Sequence, residues 1–234
     1  MIAEYRYLVA CLLGLVPLAL VLIGAGRLRS TAMICGAVLA AYSPPDAWLY
    51  ERVYWTPGRL LGGGWGVEDV LFCFHAGAVS WVCAMAPWRG SLSLSPSVRP
   101  ALRRLTIVTV LAAALLMVLI AFGVGVVASF MLVQTASTVA LLVARRSYAR
   151  LLLSVIPTFL PYYFATLTIW RLLLPGFMGM WSGTELTGWN LLGVPIEEYV
   201  WVLSFCTGFP VTMAFAFDAG FTGKPASDPT PARA

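Results

Sequence analysis

The chain has 234 residues, of which 60% are apolar and only 11% charged, and its mean hydropathy is +0.87. Soluble domains carry about a quarter charged residues, so a water-soluble globule is excluded: it would expose large apolar patches. The formal net charge of +5 does not point to nucleic acid, because most basic residues sit in short loops between apolar stretches, where they act as topology signals.

Apolar stretches of roughly 20 residues match the length a helix needs to cross the hydrocarbon. They predict an all-α, polytopic membrane bundle of about seven spans, at 5–24, 31–49, 67–87, 105–122, 124–143, 150–171 and 195–217. The first stretch, Tyr7 to Ala25, lacks a basic leader and reads as a span rather than a signal peptide. In the second, Pro44, Pro45 and Asp46 interrupt the pattern, so residues 43–50 could either continue the helix or lie at the interface. The run 105–143 is too long for one span, and Gly123 and Gly125 offer the turn that divides it. Cys11, Cys35, Cys73, Cys83 and Cys206 all fall in apolar stretches without metal-ligand spacing, which suits small buried hydrophobes.

Basic residues divide unevenly between the two sides. Arg27, Arg29, Arg89, Arg99, Arg103, Arg104, Arg145, Arg146, Arg150, Lys224 and Arg233 fall on one side, and Arg6, Arg52, Arg59 and Arg171 on the other. The positive-inside rule then places the N-terminus outside and the C-terminus in the cytoplasm. Acids fall the other way: Glu4, Asp46, Glu51, Glu68, Asp69, Glu185, Glu197 and Glu198 lie at the outer face, and only Asp218 and Asp228 inside. The segment 220–234 is rich in Gly, Pro, Ser and Thr, and reads as a disordered cytoplasmic tail.

Two segments resemble each other. WTPGRLLGGGWGVEDVLFCFHAG (55–77) and GWNLLGVPIEEYVWVLSFCTG (188–208) each pass from a Trp through Leu-Leu-Gly to two adjacent carboxylates that open an apolar helix. Glu68-Asp69 aligns with Glu197-Glu198, Phe72 with Trp201, and His75 with Ser204. The repeat predicts two similar halves, 1–100 and 101–219, meeting around a shared site.

Two readings of the acid pairs stand. Carboxylates in a first helical turn suit the positive end of the helix dipole. Alternatively, ionisable groups at the edge of a low-dielectric bundle serve a purpose there. Glu68, Phe72 and His75 are spaced to share a face, as are Glu197, Trp201 and Ser204. Burial and a like-charged neighbour raise a carboxyl pKa, which would supply the acid and the base of a proton-transfer site. His75, the only histidine, is either a structural hydrogen-bonding group or an accessory acid or base; with no second histidine, a metal site is not expected. The aromatics at this level form an interfacial belt, or in part face inward to stabilise a cation, with Phe72 and Trp201 best placed.

The stretches GVPIEEYVW (193–201) and ERVYWTPGRLLG…GVEDVLF (51–72) resemble the small membrane lycopene β-cyclases, which are built from paired copies of one cyclase domain. The first matches that family's Pro-x-Glu-Glu/Asp pattern, and the second carries Gly66 where the proline would stand. The resemblance implies redox-neutral cyclisation of the linear carotenoid end group to a β-ionone ring, with Glu68, Asp69, Glu197 and Glu198 as acid and base carriers. It implies a lipid-soluble carotenoid substrate reached through the membrane lipids, no cofactor and no metal, and other carotenoid-forming enzymes as candidate associates. The glycine-rich GRLLGGGWG (58–66) lacks the order of a dinucleotide fingerprint.

Other readings are weaker. A retinal-type pigment needs a lysine inside the last span, whereas the only lysine is Lys224. A prenyltransferase needs aspartate-rich magnesium motifs, whereas the four aspartates are scattered. A small transporter or accessory scaffold with structural carboxylates is the principal alternative.

Overall fold

The structure is a computed structural model that describes residues 5–51, 53–95 and 97–221. Glu4, Arg52, Lys224, Asp228 and Arg233, and residues 222–234 of the expected tail, lie outside these. Seven α-helices occur among the described residues: α1 Arg6–Gly24, α2 Arg29–Tyr50, α3 Val67–Met85, α4 Val98–Ala121, α5 Val126–Ala144, α6 Ala149–Leu173 and α7 Ile196–Ala216. In hydrocarbon a helix is the one open chain form that satisfies its own backbone, and the apolar runs fold accordingly. By length and composition α1, α3, α4, α5, α6 and α7 can each cross a membrane. The remaining helix, α2, has 22 residues but a polar second half, YSPPDAW.

Residues 43–50 continue α2 and do not leave it for the interface. Pro44 has no N–H for the Ala40 carbonyl, and the Ser43 hydroxyl donates to that carbonyl instead at 2.8 Å. The acceptor that Pro44 frees is thereby satisfied, and the helix runs on through both prolines. The long apolar run does divide: α4 ends at Ala121, Gly123 turns at φ 82°, and α5 starts at Val126. A glycine takes that left-handed conformation without the strain a side chain would bring.

Helices α3 and α7 form the centre of the bundle. The first packs on α1, α2, α6 and α7, the second on α3, α4, α5 and α6. The α2–α3 contact is very close: a methyl group on Gly77 would sit 2.9 Å from the Cys35 carbonyl, and one on Gly36 2.7 Å from that of Phe74. Small residues allow backbones to approach where lipid supplies no hydrophobic drive between helices. At the other extreme α4 is nearly bare, with Ile107, Val110, Leu111 and Met117 exposed for lipid to cover.

The two ends of the bundle differ. At the basic end Asp218 accepts from Arg104 and Arg145 at 3.0 Å each. There β1 (Leu92–Ser93) pairs antiparallel with β4 (Gly220–Phe221), so the first two residues of the expected tail are ordered. At the other end β2 (Asn190–Leu191) and β3 (Val194–Pro195) form a hairpin that feeds directly into α7. Glu185 reaches the start of α5, where its two oxygens accept from the Val126 and Val127 N–H groups at 2.8 Å each. Such an acid satisfies orphan donors and suits the helix dipole.

Candidate active site

The two acid pairs stand at the starts of the two central helices, and all four side chains are buried. Their orientations follow a common plan. In α3, Glu68 turns back to its own loop, where Oε1 accepts from the Leu60 N–H at 2.7 Å. In α7, Glu197 does the same, accepting from the Thr187 N–H at 2.6 Å. Each leaves its other oxygen, Oε2, buried without a hydrogen-bond partner among the described residues.

The second acid of each pair faces inward. Asp69 accepts from the Gly66 N–H at 2.7 Å, from Arg59 Nε at 2.7 Å and from the Tyr7 hydroxyl at 3.2 Å. Arg59 is itself buried and lies 3.7 Å from Glu51. Among the described residues Glu198 has no cationic partner. Its Oε1 accepts from the Tyr163 hydroxyl of α6, and its Oε2 from the Tyr54 hydroxyl and from Trp181 Nε1, the last at 2.8 Å. Burial, and then the charge of Glu198, push the Tyr54 phenol well above its ordinary value, so it remains a donor.

Asp69 and Glu198 line one cavity of about 120 Å³, on the scale of the ~150 Å³ apolar cavities that hold one benzene-sized molecule. That space suits one end of a long hydrocarbon rather than the whole. Its wall on α3 is Asp69, Phe72, Cys73 and Ala76, and on α7 it is Glu198, Trp201 and Phe205. The inner faces are therefore anchored on the second acid of each pair. Grouping Glu68 with Phe72 and His75, or Glu197 with Trp201 and Ser204, is one residue out of register, because adjacent helical positions point about 100° apart. Phe72 and Trp201 do line the cavity. His75 lines a smaller adjoining pocket of about 20 Å³, where its Nε2 shares a hydrogen bond with the Tyr162 hydroxyl. Ser204 donates to Gln134 at 3.0 Å.

The aromatics separate into the two groups expected. Trp48, Trp65 and Trp189 are exposed. Tyr50, Tyr54, Trp55, Trp170, Trp181 and Trp201 line the cavity. Trp201 stacks on Phe205 at 5.5 Å and donates to the Tyr50 hydroxyl at 3.1 Å, and Trp55 meets Trp181 edge-on at 4.2 Å. Ring faces around a low-dielectric space attract a cation. Sequence reasoning did not assign Tyr7, Arg59, Tyr163 or the wall position of Asp46 to the site. Arg59, lying among acids on the sparsely basic side, was the one visible signal.

Residues 125–216, which span α5, α6 and α7, match the family model for lycopene cyclase. This part of the chain is similar to the lycopene cyclases. The match supports a lycopene cyclase function, that of an enzyme acting on carotenoids, carried by a helical membrane protein. The matched segment contains Glu198, Tyr163, Trp181 and Trp201, whereas Asp69, Arg59 and Asp46 precede it. No curated protein and no solved structure matched the chain.

Proposed function

We propose that the protein is a lycopene β-cyclase that closes the linear carotenoid end group into a β-ionone ring. The observation that carries the reading is that Asp69 and Glu198, equivalent acids of a repeated motif, line one aromatic-walled cavity at the centre of the bundle. In this reading residues 1–100 and 101–219 are two fused cyclase-like repeats. The carotenoid enters from the lipid and places one end in the cavity. Protonation of its terminal double bond makes a tertiary carbocation, and the neighbouring double bond closes the six-membered ring. Glu198 then accepts the proton lost to form the ring double bond. Trp201, Phe205 and Phe72 shelter the cation through their ring faces, and the carboxylates oppose its charge in a water-poor space. Glu68 and Glu197 act one step back, holding the loops that shape the site. Substrate and product are isomers, so the reaction needs no oxidant or reductant. The basic end faces the cytoplasm of a cell membrane, with the N-terminus outside.

The test is pigment analysis of lycopene-producing cells that express this chain alone. The expected product has the mass of lycopene and a β-ring. Glu198→Gln should lower product per inserted protein about 10²- to 10⁴-fold, the range for a lost general acid or base, with membrane abundance unchanged. Unchanged lycopene beside abundant wild-type protein would sink the reading, and loss of abundance alone in Glu198→Gln would favour a scaffold role.

A further inference from the structure

Asp46 is a third carboxyl on the cavity wall, and neither the acid-pair motif nor the family match accounts for it. It stands in the last turns of α2, one turn before Tyr50. A negative charge there meets the unfavourable end of the helix dipole, so helix capping does not explain it. Among the described residues it makes no hydrogen bond and no ion pair, in contrast to the other two acids on the wall. Both oxygens of Glu198 already accept donors, from Tyr163, Tyr54 and Trp181. Both oxygens of Asp69 do likewise, from Tyr7, Arg59 and the Gly66 N–H. The titratable groups that feel the Asp46 charge are Tyr50 on its own helix and Cys73 on α3, both ordinarily neutral.

An alkene offers no lone pair, so its acid must aim an O–H directly at the double bond. Among the described residues only Asp46, of the three carboxyls on this cavity, has oxygens free of donors and able to do so. A bare carboxylate on an apolar wall is costly, whereas a carboxylic acid there is much less so. We infer that Asp46 is the proton donor that starts the cyclisation, an inference that rests on the cyclase reading. The Asp46 O–H bond breaks and a C–H bond forms at the inner, CH carbon of the terminal alkene, leaving a tertiary cation on its dimethyl carbon. The next double bond supplies the electron pair of the ring C–C bond. A ring C–H bond then breaks, its pair becomes the ring double bond, and its proton passes to Glu198. Proton exchange between the two carboxyls of the one cavity restores both.

The experiment compares wild-type, Asp46→Asn and Asp46→Ser chains in lycopene-producing membranes. Cyclised product is read per inserted protein that still co-purifies with lycopene, which removes folding from the comparison. The expected result is at least a ~100-fold loss of product in both variants, with partial recovery in Asp46→Glu. Product within severalfold of wild type in either the Asn or the Ser variant overturns the inference and leaves the cyclase reading standing. Absence of product from wild type overturns the cyclase reading first.

Discussion

The α3 and α7 ends of the cavity start from the same motif and arrive at different electrostatics. In both, the first acid holds the preceding loop and the second faces inward. On the α3 side the inner acid, Asp69, is matched by the buried Arg59 cation. On the α7 side the inner acid, Glu198, is surrounded by two tyrosines and a tryptophan, all neutral. A carboxylate locked to a guanidinium is a structural joint, because removing either member strands a buried charge. A carboxylate held by neutral donors keeps its net charge for a substrate cation. In the proposed cyclase reading the repeated motif supplies one anchor and one reactive group, and Glu198 lies inside the segment that matches the lycopene cyclase model.

That contrast can be broken most severely at the anchor. Asp69→Asn takes the close carboxylate from the buried Arg59, leaving only the longer pair with Glu51 at 3.7 Å, and should destabilise the protein by about 3–5 kcal/mol, read as a fall in unfolding midpoint in detergent. The double change Arg59→Leu with Asp69→Leu should recover most of that stability, because an apolar pair avoids the desolvation penalty. Equal destabilisation by the single and double changes would contradict the joint. A smaller effect sharpens the reactive side. Tyr163→Phe removes one donor to Glu198, worth about 1.5–3 kcal/mol to a charged group, and should lower cyclised product about tenfold with little change in abundance. The smallest effect lies outside both. Glu185→Ala strips the start of α5 of its two acceptors and should cost about 1 kcal/mol of stability, leaving product per folded protein unchanged.

The helices were largely legible because the bilayer reads sequence one segment at a time. The boundaries of α3 and α7, and the turn at Gly123, follow from local hydropathy and a single glycine. The fate of residues 43–50 was not legible, because it depends on whether the Ala40 carbonyl finds a donor, and the Ser43 hydroxyl supplies it. Phe72 and Trp201 do face the cavity as expected, but the acid that joins them is the second of each pair rather than the first: helical spacing says which residues share a face, and neighbouring helices decide which face looks inward.

What the sequence determined by itself was the class of molecule and the end of the bundle where its acids gather, since hydrophobic length and charge asymmetry are local properties. What only the tertiary structure decided was the role of each acid. Glu68 and Asp69 are adjacent in the chain, yet one meets a loop amide and the other an arginine and a tyrosine from α1. Glu198 draws donors from α6 and from two separate loops. Asp46 is distinguished by meeting none among the described residues. Those partners lie between 8 and 144 residues away along the chain, and a carboxyl's chemistry is set by what surrounds it in space.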